Sequence, residues 1–200
     1  MRSELVIALR MVVVTLVLTG VIYPLAVYAF AQLLFPRQAN GSMVKAGGRV
    51  VGSELIGQEF TSPSYFQGRP SAAGRDGYDA AASGGSNLGP TSARLRDRVA
   101  AEAARLRREN ASAPGPVPGE LVAASASGLD PHLSPDAALW QAPRVATARG
   151  VPLSAVRAAV AEHGEGRSLG ILGEPRVNVL LLNLELDRRF GPLQVTVPSR

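Results

Sequence analysis

The sequence predicts an α+β protein: one N-terminal transmembrane helix, then a single mixed soluble domain with short N-terminal strands and about three to four helices. Three observations predict it. No side chain between Met11 and Phe35 is charged. Short apolar runs divided by glycines fall between residues 43 and 57. From residue 91 onward, capping residues open stretches whose apolar side chains recur three and four apart.

The uncharged run, MVVVTLVLTGVIYPLAVYAFAQLLF, lies between Arg10 and Arg37. As a helix it would be roughly 37 Å long at about 1.5 Å per residue, more than the ~30 Å of a bilayer's hydrocarbon core. It is the only such run. Residues 1–10 therefore read as a short N-terminal stub, 11–35 as a transmembrane helix and 36–200 as the soluble domain. A cleaved secretory signal is the competing reading, because Ala29-Phe30-Ala31 resembles a cleavage site. A signal's apolar stretch is ~7–15 residues, shorter than this one, so a retained helix is preferred.

The flanking charges, Arg2 and Arg10 on one side and Arg37, Lys45 and Arg49 on the other, favour neither orientation. A short N-terminal stub ordinarily stays cytoplasmic, which sends the soluble domain outside; the reverse orientation stays open. Ion pathways usually show an ionisable residue at membrane depth, and this span has none, so it is expected to dock on other helices rather than conduct. Thr15 and Thr19 share a face, where they either admit a second helix or bond back to the preceding turn. Pro24 removes one backbone hydrogen bond and is expected to kink the helix. Thr15, Thr19 and Pro24 are the docking candidates of the span.

In the soluble part, Met43-Val44 and Arg49-Val50-Val51 flank Gly47-Gly48 and read as strands, with Leu55-Ile56 a third. Residues 61–90 lack periodicity, yet Phe60, Tyr65, Phe66 and Tyr78 argue against disorder. The stretch reads as an ordered surface loop, with Tyr65 and Phe66 as partner-contact anchors. A helix over 91–109 opens at Thr91 or Ser92 and places Leu95, Val99 and Leu106 on one face. Residues 110–119 form a loop, and Leu121-Val122 reads as a strand. Ser134-Pro135-Asp136 supplies a cap, a first-turn proline and an acid at the positive end of the dipole, so a helix runs to about Ala148 and stops at Gly150. A further helix covers Ser154 to His163. Residues 175–186 fit either a strand or a helix, and Pro175 tips the choice to helix.

Composition narrows the function classes. The net charge is +5, and the densest basic stretch, Arg94 to Arg108, has no interleaved aromatic residue, so no nucleic-acid partner is expected. There is no cysteine, hence no disulfide and no thiolate metal site. The two histidines, His132 and His163, have no ligand spacing, and no metal is expected. The stretch Ser83-Gly84-Gly85-Ser86-Asn87-Leu88-Gly89-Pro90 could offer backbone N–H groups to a phosphate, but no G-x-x-x-x-G-K-[ST] exists; a turn leading into the next helix is the simpler reading. No pattern assembles a nucleophile, a base and an orienting group, so the chain by itself is not expected to be an enzyme.

Several blocks carry a resemblance. Gly52-Ser53-Glu54-Leu55-Ile56-Gly57-Gln58-Glu59-Phe60 is followed by Tyr65-Phe66-Gln67-Gly68-Arg69-Pro70-Ser71-Ala72 and by Ala82-Ser83-Gly84-Gly85-Ser86-Asn87-Leu88-Gly89-Pro90. Then come Ala124-Ser125-Ala126-Ser127-Gly128-Leu129-Asp130-Pro131-His132, Arg144-Val145-Ala146 and Gly173-Glu174-Pro175-Arg176-Val177-Asn178-Val179-Leu180. In this order, over nearly the whole chain, they resemble the C-subunit family of the bacterial Kdp-type potassium-transporting ATPase. Asp79 and Ala126 depart from the family's usual Asn and Ser.

The resemblance implies an accessory subunit of a four-part pump in the bacterial inner membrane, needed for assembly and activity. Its partners would be a potassium-selective, channel-like A subunit, a P-type, ATP-hydrolysing B subunit and a small F subunit, with membrane lipid around the anchor. Potassium would be handled by the complex. The chain has neither the motor's D-K-T-G-T nor the filter's T-V-G-Y-G. The resemblance also implies an alternative: a membrane-tethered nucleotide-binding regulator that raises the motor's ATP affinity, with Ser83, Gly84, Gly85 and Gln141 as candidate contacts and ATP as ligand. That alternative conflicts with an outside domain, because ATP is cytoplasmic, and the topology is given precedence.

Overall fold

The computed structural model describes residues 2–192, and the chain divides into two units near residue 43. The first unit is a single helical run, Arg2–Leu34, long and apolar enough to cross a membrane, with a mean hydropathy of 2.6 over its most apolar window and none of that window buried against protein. It is built from α1 (Arg2–Val17), a π turn (Leu18–Ile22) and α2 (Tyr23–Leu34). Residues 2–10 of the expected stub are already helical. Pro24 sits at the start of α2, and the π turn directly precedes it. There the Tyr23 N–H donates to the Leu18 carbonyl, five residues back rather than four. The wider turn lies where a proline disturbs the α register. Thr15 donates to the Met11 carbonyl, and Thr19 donates to the Thr15 carbonyl at 2.7 Å. A short α3 (Pro36–Ala39) follows, and Asn40 closes the turn by donating to Gln32 Oε1 at 3.1 Å.

In the second unit β1 (Met43–Ala46) pairs with β2 (Arg49–Ser53) across Gly47 and Gly48, both at positive φ as a tight two-residue turn requires. The third strand expected at Leu55-Ile56 is absent. Those residues lie in a turn whose Leu55 N–H donates to Ser53 Oγ at 3.1 Å, because a serine cap outcompetes a strand of two residues. No helix or strand then occurs until α4 (Ala93–Glu109), which Ser92 caps by accepting the Leu95 N–H. Leu121-Val122, expected as a strand, belongs instead to a 3-10 turn, Gly119–Leu121, and to its cap.

Ser134 caps α5 (Pro135–Arg149), which Gly150 ends at φ +65, and α6 (Leu153–Glu162) follows. Residues 175–186 are not one helix. Arg176–Asn178 form β5, the middle of a three-stranded antiparallel sheet between β3 (His132–Leu133) and β4 (Gly164–Glu165), with Leu133 and Gly164 both opposite Val177. Asn178 then caps α7 (Val179–Phe190) by accepting the Leu181 N–H at 3.1 Å. Val177 is thus strand, while Val179, Leu181 and the later leucines are helix, the switch falling at a capping asparagine. The core gathers Phe66, Leu106, Trp140, Val156, Val177 and Leu186.

Candidate functional site

The segment between β2 and α4 has no regular structure of its own, and α5 and α7 hold it by side chains bonded to its backbone. Gln141 of α5 is fully buried. Its Oε1 accepts the Gln67 N–H at 3.0 Å and its Nε2 donates to the Gln67 carbonyl at 3.0 Å. Asn183 of α7 does the same one residue earlier, accepting the Phe66 N–H at 2.8 Å and donating to the Phe66 carbonyl at 3.0 Å. Each amide stands in for a neighbouring strand and satisfies a backbone pair that burial would leave costly.

Two arginines of α5 complete the clamp. Arg144 donates to Asn110 Oδ1 at 2.9 Å, to the Pro63 carbonyl at 2.5 Å and to Gln141 Oε1 at 2.9 Å. These acceptors are neutral, and burial pushes the Arg144 pKa down to about 10. Arg149 donates to the Ser64 carbonyl at 2.7 Å and to Asp187 Oδ1 at 2.8 Å, and its guanidinium lies 4.8 Å from the Tyr65 ring centroid. The Tyr65 hydroxyl donates to Asp187 Oδ2 at 2.9 Å. Burial first, then Asp187, raises its pKa above the ordinary phenol value.

This placement corrects the expectation for Tyr65 and Phe66. Phe66 is 0% exposed and Tyr65 9%, so both rings sit inside the domain instead of at a partner-facing surface. Aromatic residues are 5% of the chain, and the buried face of α5 carries Ala137, Ala138, Ala142 and Ala146. Phe66 joins these alanines and Trp140 in one buried cluster.

The glycine-rich stretch also serves the fold. The Gly84 N–H donates to the Ser127 carbonyl at 2.8 Å, and Ser83 Oγ donates to the same carbonyl at 2.9 Å. A Cβ on Gly85 would stand 2.9 Å from the Ala126 carbonyl oxygen, and one on Gly128 would stand 2.6 Å from that of Gly84. Segments 83–85 and 126–128 therefore lie backbone against backbone, and the glycines permit that approach. Ser83, Gly84 and Gly85 share one network, while Gln141 belongs to another with its amide engaged on both sides. The structure does not assemble these four residues into a phosphate cradle.

Asp130 accepts the His132 N–H at 3.0 Å and pairs with Arg69 at 3.0 Å. The bond with His132 and then Arg69 hold its carboxyl below the usual carboxylate range against burial. His163 closes α6, its Nδ1 3.1 Å from the Ala159 carbonyl. Among the described residues no three of His, Asp and Glu stand together as metal ligands. A cleft of about 460 Å³ is lined by residues that include Glu59, Asp76, Tyr78, Glu102, Arg105 and Glu109. Arg105 bridges Glu102 at 2.5 Å and Glu109 at 2.7 Å, which leaves the cleft acidic. Tyr78 donates to the Arg69 carbonyl at 2.6 Å, and burial, then Glu59, pushes its pKa up to about 12. The cleft holds an anchored phenol, carboxylates and the residues Thr61 and Ser71, and the Ser71 hydroxyl donates to the Gly128 carbonyl at 2.6 Å.

Sequence reasoning missed Arg144, Arg149, Asn183 and Asp187, which act across long separations in the chain. The one available signal was polar residues on helix faces that periodicity assigns to the core, as Asn183 is between Leu182 and Leu186.

Comparison with known proteins matches residues 5–188 to the family described as the K+-transporting ATPase c chain. A potassium-transporting ATPase KdpC subunit of Myxococcus xanthus is 67% identical over 100% of this chain and 94% of its own length. KdpC subunits of Nitratidesulfovibrio vulgaris and Gemmatimonas aurantiaca are 57% and 54% identical, over 90% and 96% of this chain and 92% and 94% of their own lengths.

Proposed function

Because the chain belongs to the KdpC family, the c chain of the K+-transporting ATPase, we propose that it is the accessory subunit that keeps the pump's pore and motor subunits assembled and active. One observation carries this reading. An apolar helix with no charged residue between Met11 and Phe35 is joined to a domain whose buried polar side chains are engaged with its own backbone. Such a chain is built to hold a shape beside other subunits. In this reading the A subunit selects potassium, the B subunit hydrolyses ATP and the small F subunit completes the complex. Neither potassium nor ATP is handled by this chain. The anchor packs on a helix of the pore subunit through the face of Thr15 and Thr19, whose small side chains admit a close approach while their hydroxyls stay bonded to their own helix. The N-terminus is cytoplasmic and the domain after residue 35 lies outside the inner membrane.

The test is to express the other subunits with and without this chain and solubilise the membranes. Without it, the pore and motor subunits should separate and potassium-stimulated ATP hydrolysis should collapse. An intact, potassium-stimulated pore–motor complex in its absence would overturn the proposal. Titration of the full chain in micelles with millimolar ATP should give no saturable heat; saturable binding would move the chain to the regulator reading. Protease added to spheroplasts should cleave the domain while the inner membrane is sealed.

A further inference from the structure

We infer that the loop tip between β4 and β5, residues 166–174, is a preformed apolar knob that seats in an apolar pocket of a neighbouring protein subunit of the ATPase complex. The inference rests on the subunit role proposed above.

The tip reverses the rest of the domain. Leu169, Ile171 and Leu172 are 89%, 75% and 56% exposed, whereas Leu182 and Leu186 of α7 are 1% and 0%. A single exposed leucine needs no explanation, but three large apolar side chains within four residues form a patch. The patch has a fixed shape. The Ser168 N–H donates to the Leu172 carbonyl at 2.8 Å, the Leu172 N–H returns to the Ser168 carbonyl at 2.9 Å, and the Gly170 N–H donates to the Arg167 carbonyl at 3.0 Å. Leu169 is held at φ +55, a conformation that a leucine adopts only under strain. Both chain ends leave the tip into strands of one sheet, where β4 pairs with β5 and Val177 is fully buried. A knob already ordered loses little freedom on docking.

Charge and composition decide between a protein and a lipid surface. Arg167 pairs with Glu174 at 2.7 Å and Arg176 with Glu165 at 2.9 Å, so the base of the tip has no net charge. The tip has no aromatic residue. Segments that enter a bilayer interface usually bring Trp or Phe and unpaired Lys or Arg. A neutral base with an aliphatic tip fits a dry protein pocket. None of the three side chains belongs to the core cluster, so changing them leaves the core intact.

The experiment uses the full chain co-expressed with the other subunits, solubilised and captured through this chain. With Leu169→Ser and Ile171→Ser together, recovery of the pore and motor subunits should fall at least tenfold, while the conservative pair Leu169→Met and Ile171→Val should retain it. Leu55→Ser, an exposed leucine elsewhere (58%), should leave recovery unchanged. Undiminished recovery with the serine pair, or equal loss with the conservative pair, overturns the docking proposal alone. Absence of the other subunits from the wild-type preparation overturns the subunit role as well. A lipid arm places the full chain with Ile171→Trp in vesicles containing brominated phosphatidylcholine, and the wild-type emission of Trp140 is subtracted. Unquenched emission from the introduced indole supports the protein pocket, and quenching overturns it.

Discussion

Residues 63–67 and 166–174 are both irregular segments with large apolar side chains, and the fold uses them in opposite ways. In the first, Tyr65 and Phe66 turn inward, and side chains of α5 and α7 satisfy the backbone around them. In the second, Leu169, Ile171 and Leu172 turn outward, and the segment is held by its own backbone bonds and the Arg167–Glu174 ion pair. The difference teaches where to look for a contact surface. An aromatic loop is not an interface when a buried amide or guanidinium meets each of its peptide groups. An aliphatic loop whose polar groups close on themselves has no further use inside the domain.

The largest effect should come from Phe66→Ala, which empties a fully buried ring site and should cost about 3–5 kcal/mol in urea denaturation of the full chain in micelles. A loss below about 1 kcal/mol would break the contrast, since an interface residue would behave that way. Next is Gln141→Leu, which strands the N–H and carbonyl of Gln67 in the interior and should cost about 1–3 kcal/mol. Combined with Asn183→Leu the losses should not add, because both amides hold one strand of chain; strict additivity would deny a shared clamp.

A smaller effect should follow acidification. The folded pKa of Asp130 is lowered, so its contribution is fully present above the unfolded value of about 3.9 and is lost as pH falls through the folded value below it. Asp130→Asn should therefore remove about 1 kcal/mol near neutrality and nothing at the acid end, and a parallel offset at all pH values would refute the assignment. The smallest effect should be that of Leu169→Ser on stability, within about 0.5 kcal/mol of wild type, because the side chain is 89% exposed.

The readable parts of the sequence were those whose signals are local. The charge gap between Arg10 and Arg37 marked the long apolar helix, Gly47-Gly48 marked the first turn, and Ser92 and Ser134 marked the starts of α4 and α5. The three-stranded sheet was not readable, because strands of two or three residues are too short to alternate. Their pairing is set by chain segments near residues 132, 164 and 177 meeting in the fold. The glycines of 83–89 were visible as a feature, but the backbone they approach, 126–128, lies outside any local window. Tyr65 and Phe66 were misplaced for a related reason: the residues that hold them inside, Gln141, Arg149, Asn183 and Asp187, lie far along the chain.

Amide hydrogen exchange on the full chain, alone and within the assembled complex, tests the contrast most directly. The amides of Phe66 and Gln67 should already exchange slowly in the free chain and change little on assembly. Those of Ser168, Gly170 and Leu172, bonded within the exposed tip, should be partly protected in the free chain and slow at least a further tenfold in the complex. Protection that appears at residues 65–67 only on assembly, with residues 168–172 unchanged, would contradict the account.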